Sequence, residues 1–234
     1  MERVDRRKDI QLGMISAFPI IVGYLPIAMT FGILSKSSGI QLIESFMFSA
    51  IVFAGSSQFM ALNMITVGAG LGEIILTTLL VNFRHFLMSA SLSENIGHEK
   101  AYRPLIAFGI TDEVFSVVSF RKESMTKEYI LTLEALSYLS WVGGTVLGFI
   151  IGTVLPETIQ ESMGIGIYAM YIALLLPEAK KSYRVAMLAI LSGLTNTLIG
   201  QIPFLPQGWS IILSILLVSG VGCYLEKRGV EVNA

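Results

Sequence analysis

The chain has 234 residues, of which 53% are hydrophobic and only 14% charged, with a net charge of −1, whereas an ordinary soluble domain carries about 25% charged residues. Together with a mean hydropathy of +0.71, this excludes a soluble globular domain and offers no basic surface for nucleic acid. The single Cys223 excludes an internal disulfide and a cysteine-built metal site.

Charge clusters divide the apolar sequence into candidate spans near residues 12–35, 45–66, 74–93, 104–120, 129–155, 163–177, 185–200 and 208–225, against the roughly 20 residues that cross a hydrocarbon core. The expectation is an all-α polytopic membrane helix bundle of about eight transmembrane spans, some broken by Pro or Gly, forming a single transporter domain over 1–234. The opening MERVDRRKDI is basic and leads into a run too long for a signal peptide. It therefore reads as an uncleaved first span with a cytoplasmic N-terminus.

The first span carries Pro19, Gly23 and Pro26, which remove helical hydrogen bonds near its middle. Backbone freed in this way must be satisfied by protein or water, as in the broken helices that line transporter sites; a kink used only for packing is the competing reading. In the second span, FAGSSQFMALNMI holds small residues suited to tight packing, with the amides of Gln58 and Asn63 beside them. The third contains LLVNFRHFLMSASL, which puts Asn82, Arg84 and His85 into hydrocarbon. Asp112 and Glu113 occupy the centre of the fourth, which raises the alternative of a re-entrant loop and seven spans. Eight spans put twelve Lys and Arg on the cytoplasmic side and three outside, whereas a non-crossing fourth segment gives four against eleven. The positive-inside rule favours eight.

In the fifth span, Gly144, Gly148 and Gly152 recur every four residues and predict a close-packed helix face. Glu134 is near enough to the cytoplasmic charges to reach the interface. Gly68, Gly70 and Gly72 mark a loop, GQIPFLPQG a turn between the last two spans, and Asn196 a polar position in the seventh.

Arg84 lies about 15 Å into the third span and Asp112 about 12 Å into the fourth at the helical rise, so the two are expected to pair. An unpaired Arg at the bilayer centre costs at least about 2.5–3.5 kcal/mol. The set must therefore face the bundle interior. A simple Arg–Asp clamp between helices is one reading, although the polar set is larger than a clamp needs. A midplane site of both signs suits a zwitterion or a proton relay, since Arg holds a carboxylate by a fork and Asp or Glu takes an ammonium or a proton. The carboxylates are better proton carriers here than His85, and Phe53, Phe59 and Phe83 are candidates for an apolar side-chain pocket.

The order GMISAFPIIVGYLPIAMTFGIL, FAGSSQF, VNFRHFLMSASL, FGITDEVF resembles the AzlC family, the large subunit of bacterial branched-chain amino acid exporters, over about residues 10–120. The resemblance implies a secondary transporter of the bacterial cytoplasmic membrane exporting leucine, isoleucine, valine or methionine. It also implies a separate small membrane subunit of the AzlD type, and it marks Gln58, Asn82, Arg84, His85, Asp112 and Glu113. No cofactor or metal is expected. An intramembrane enzyme is disfavoured, with no H-E-x-x-H or G-x-S-x-G motif, and the absence of G-x-x-x-x-G-K-[ST] argues for an ion gradient over ATP. A passive channel, or a carrier of another small solute, is the remaining alternative.

Overall fold

The computed structural model of the chain describes residues 6–92, 102–119, 126–152, 182–202 and 209–227, with a few single positions between 154 and 180. Most of the predicted sixth span, the loop from 93 to 101, the middle of the GQIPFLPQG turn, and Arg3, Lys100, Arg121, Lys122, Lys181 and Arg228 lie outside the described residues. Regular structure among the described residues is entirely helical. The helices are α1 (Arg6–Ser37), α2 (Leu42–Ile51), α3 (Gly55–Thr66), α4 (Leu71–Leu92), α5 (Arg103–Gly109), α6 (Asp112–Ser119), α7 (Lys127–Ile151), α8 (Tyr183–Gly200) and α9 (Trp209–Lys227). Four of them, α1, α4, α7 and α8, are long and apolar enough to cross a membrane.

The chain divides into two compact units, one of residues 1–59 and 82–167, the other of 60–81 and 168–234. In the second unit α8 and α9 pack against one another, with Gly222 against Leu188. Apolar residues such as Leu194, Leu198, Leu216 and Leu217 point outward there, as they do on a lipid-facing surface.

The first unit is built on α1 and α7. Gly13 sits on Tyr129 and Thr132, Gly144 on Ala28 and Leu25, and Gly32 on Thr145 and Phe149. These contacts advance in the same order along both helices, so α1 and α7 run parallel. Small residues let the backbones approach, which substitutes for the hydrophobic driving force that lipid removes. A Cβ on Gly148 would strike the Met29 backbone. The predicted glycine face is thus present, and α1 is its partner. At one end of the pair Arg6 bonds Glu128 at 3.1 Å, and at the other Lys36 lies 5.2 Å from the centre of the Phe149 ring.

The first predicted span differs from expectation. α1 is one continuous helix with Pro19 and Pro26 inside it. Both prolines and Gly23 lie on its exposed side, while Ala17, Ile20, Tyr24, Ala28 and Phe31 on the other side are buried. Packing along that buried face offsets the roughly 3 kcal/mol that an interior proline costs.

The breaks fall in the second and fourth predicted spans instead. Residues 52–54 separate α2 from α3, and Ile110 and Thr111 separate α5 from α6. The Gln58 amide nitrogen donates to Ser49 Oγ at 3.0 Å, and Phe48 and Phe59 both pack on Phe31. A straight helix would hold positions 49 and 58 about 13 Å apart, so the chain doubles back at 52–54. The second break behaves likewise. α5 starts where Lys127 lies 4.8 Å from the Tyr102 ring centre, and it runs along α7 until Gly109 meets Glu134. Thr126, which caps α7 by accepting from the Tyr129 amide, brings the chain back to the end where Tyr102 began. Tyr102 and Thr126 therefore both lie at one end of α7, with the break at Ile110 and Thr111 part-way along it, as a re-entrant hairpin requires. This was the alternative set aside for the fourth span, and α2–α3 is a hairpin as well.

Candidate substrate site

Both hairpin tips converge on Tyr24 and Arg84. At the second tip Ile110 is extended, with φ −72° and ψ 117°, and Thr111 caps α6 by accepting the Val114 amide at 3.3 Å. Asp112 and Glu113 thereby become the first two residues of α6, where the helix macrodipole favours negative charge. At the first tip Gly55 opens α3 directly against the Trp141 ring. A side chain at position 55 would displace that indole.

Arg84 joins the two tips. Its Nη1 meets Asp112 Oδ2 at 2.7 Å, and its Nη2 donates to Ser56 Oγ at 2.5 Å. The expected Arg84–Asp112 pair is present, with both side chains 37% exposed, so this is a half-open ion pair and not a sealed clamp. Arg84 Nε is buried with no hydrogen-bond partner among the described residues. One donor of the guanidinium fork is therefore unused.

Tyr24 performs the corresponding task from α1. Its hydroxyl lies 2.5 Å from Glu113 Oε2 and 2.6 Å from Thr111 Oγ1. The phenol has one proton, and an ionised carboxylate can only accept, so that proton goes to Glu113. Its ring stands edge-on to Trp141, with centres 5.2 Å apart, and to Phe53 at 6.1 Å. Phe53 in turn meets Tyr138, which meets Phe108. An aromatic wall thus runs beside the charged cluster.

Gln58 is 1% exposed and hydrogen-bonded through both its oxygen and its nitrogen. Its Oε1 accepts from Trp141 Nε1 at 2.7 Å, its Nε2 reaches Ser49, and Ser49 bonds Thr145 at 2.7 Å. The amide fixes the first hairpin to α7. Asn82 and His85 lie on α4 beside Arg84; among the described residues Asn82 Oδ1 is buried without a partner, and His85 makes no hydrogen bond or ion pair. Pro19, Gly23 and Pro26 face away from the cluster. Asn63, which is exposed, and Asn196 belong to the second unit. Of the three phenylalanines, Phe53 alone lines the cluster: Phe59 is sealed against Phe31, and Phe83 is 54% exposed and stacked on Phe86.

Tyr24, Ser56 and Trp141 escaped the sequence reading, whereas Thr111 belongs to the polar set read there beside Asp112 and Glu113. Tyr24 had one available signal, a phenolic hydroxyl midway along an otherwise apolar helix, which needs a partner when buried. Glu134 was placed at the interface by counting along the chain, yet it is 4% exposed.

Two hairpins meeting over a charge pair inside apolar helices define a polytopic membrane protein with an intramembrane polar site, the arrangement of broken helices found in secondary transporters. Residues 19–155 match the family described as AzlC protein, and the chain belongs to that family. It is 32% identical to an "uncharacterized membrane protein" of Archaeoglobus fulgidus, covering 77% of this chain and 80% of that one. It is 30% identical to "inner membrane protein YgaZ" of Escherichia coli over 77% and 78% of the two chains. Across 98% of its length, and 93% of the other's, it is 28% identical to "branched-chain amino acid transport protein AzlC" of Bacillus subtilis. No solved structure matches the chain.

Proposed function

We propose that this chain is the large subunit of a secondary transporter that exports branched-chain and related neutral amino acids across the bacterial cytoplasmic membrane. In this reading it works as one transport domain with a cytoplasmic N-terminus, together with a small AzlD-like subunit, and is driven by the proton gradient. The observation that carries the reading is Arg84 held between the tips of two hairpins, bonded to Ser56 of one and Asp112 of the other. The Bacillus subtilis relative, a branched-chain amino acid transport protein, supplies the substrate class.

The Arg84–Asp112 pair is a zwitterion folded onto itself. An amino acid entering between Arg84 and Asp112 gives its carboxylate to the guanidinium and its ammonium to Asp112 or Glu113, so the net charge in the membrane is unchanged. Each protein charge exchanges one partner for another, and the several kcal/mol of desolvation that an unpaired buried ion costs never arises. The Arg84 Nε–H, unpartnered among the described residues, and the N-terminus of α3, with Ser56, add donors for the carboxylate. Phe53, Tyr24 and Tyr138 offer an apolar wall for a branched side chain, which adds affinity without demanding one shape.

The test is efflux of leucine, isoleucine, valine and methionine from dipeptide-loaded bacterial cells expressing the chain with and without an AzlD-like partner. An Arg84→Ala variant shown to be inserted in the membrane is measured beside the wild type. Efflux that is saturable, needs Arg84 and collapses with a protonophore supports the carrier reading; non-saturating leak points to a channel. No efflux of any of the four from properly inserted wild-type protein sends the substrate question to other small solutes.

A further inference from the structure

Glu134 takes no part in the cluster just described. It lies on α7, 4% exposed, and its Oε1 has no hydrogen-bond partner among the described residues. Its carboxyl group presses on the backbone of Gly109, where a Cβ would come within 2.5 Å of the Glu134 Cδ. Gly109 is the last residue of α5 and precedes the break at Ile110 and Thr111. The last carbonyls of a helix lack intrahelical partners and carry the negative end of its dipole. A protonated carboxyl group can donate to such a carbonyl, whereas a carboxylate there is repelled by it and is buried without a counter-ion.

The elements packed against α7 bring no cation to it among the described residues. On α1, Arg6 is paired with Glu128 and the Tyr24 hydroxyl is on Glu113. On α6, Asp112 is paired with Arg84. Arg103 is exposed at the far start of α5, and Glu44 caps the far end of α2 through the Gln41 amide.

We propose that Glu134 is the proton-carrying site of this protein, distinct from the amino acid site at Arg84 and Asp112. When protonated, it holds the end of α5 against α7. When it gives up its proton, it releases that end, and Asp112 and Glu113, which follow directly after the break, move with it. One proton is taken up from one side of the membrane and given to the other, with no other bond made or broken. This inference rests on the transporter reading above.

The test uses the purified chain in proteoliposomes, with the AzlD-like subunit if efflux in cells requires it. Leucine exchange, leucine accumulation driven by an imposed pH gradient, and substrate-dependent proton movement are measured for the wild type, Glu134→Gln and Glu134→Asp. The expected result is that Glu134→Gln keeps exchange but loses gradient-driven accumulation and proton movement, while Glu134→Asp keeps both with a displaced pH profile. Full coupling in Glu134→Gln, or loss of exchange together with coupling in a correctly inserted protein, overturns the proposal. A second readout is independent of any variant and of transport. A hydrophobic carbodiimide, which attacks protonated carboxyl groups in apolar surroundings, should label Glu134 in the wild-type protein in a pH-dependent manner, as read by peptide mass spectrometry. Absence of labelling across the pH range overturns the proposal even if transport is normal. A wild type that labels but shows no exchange instead refutes the amino acid carrier reading and leaves the protonation site standing.

Discussion

Arg84 and Tyr24 divide the work of holding the two hairpin tips, and their substitutions should fail differently. Arg84→Ala leaves Asp112 in the membrane without its cation, so efflux should vanish while membrane insertion is retained. Arg84→Lys keeps the charge but loses the fork that reaches Ser56 and Asp112 together, and is expected to transport slowly with a raised KM. Tyr24→Phe keeps the ring contacts with Trp141 and Phe53 but strips the hydroxyl from Glu113 and Thr111. Leaving those groups unsatisfied should cost about 1–3 kcal/mol, read as a lower Tm in detergent together with weaker efflux. An unchanged Tm would show that the hydroxyl bonds carry no stability. At this scale the sequence was informative where depth could be counted. Arg84 and Asp112 were each placed near midplane from their distance to the span ends, and they pair. Ser56 was hidden because a serine among Ala54, Gly55 and Ser57 reads equally well as a small packing residue. Glu134 was misplaced because depth along one helix says nothing of the neighbour that covers it, here Gly109.

Among the helices, the glycines on α1 and α7 predict a sharp contrast. Gly32→Ala sets a methyl group against the backbone of Thr145 and Phe149 and should destabilise by about 1–3 kcal/mol through overpacking. Gly143→Ala, on the same α7 but with nothing within 4 Å of the new Cβ, should be neutral or stabilise by about 0.5–1 kcal/mol through its helix propensity. Thermal unfolding of the two variants in one detergent checks this; equal loss in both would remove the close-packed interface. The repeat Gly144, Gly148, Gly152 announced such an interface in the sequence, but its partner could not be read there. The hairpins were not legible either. Residues 45–66 have the length and apolarity of a crossing helix whether the chain continues or doubles back, and the turning residues Val52, Phe53 and Ala54 include no proline. The prolines that did suggest a break, Pro19 and Pro26, sit on the exposed face of a helix whose other face is fixed by α7.

For the whole molecule, the hairpins change which loops share a side. The eight-crossing count separates Arg103 from Arg6, yet Tyr102 and Lys127 meet at the same end of α7 as Arg6 and Glu128, while Lys36 lies at the opposite end. Moving Arg103 to the richly basic side strengthens the charge bias that the positive-inside rule expects. Single cysteines at Tyr102, Thr126 and Gly39, introduced into a Cys223→Ser background, give the test with a membrane-impermeant maleimide. Tyr102 and Thr126 should label from one side and Gly39 from the other. Labelling of Tyr102 and Thr126 from opposite sides would restore a crossing fourth span. The class of the fold, helical and polytopic, was evident from hydropathy because lipid admits few alternatives; the path of the chain was not, because hydropathy records depth and ignores direction.

The two interruptions, at 52–54 and at Ile110 and Thr111, also bear on where water reaches. Peptide groups released from helical bonding cannot face hydrocarbon, so protein or water must meet them within the membrane, and the half-exposed Arg84–Asp112 pair beside them is a route for water. Transferred from H2O into D2O in intact membranes, the protein should take up deuterium at Gly55 and Asp112, the first residues of α3 and α6, sooner than at Leu133 or Ile130 on the sealed face of α7. The most exchangeable amides of the transmembrane region would then lie farthest from either surface.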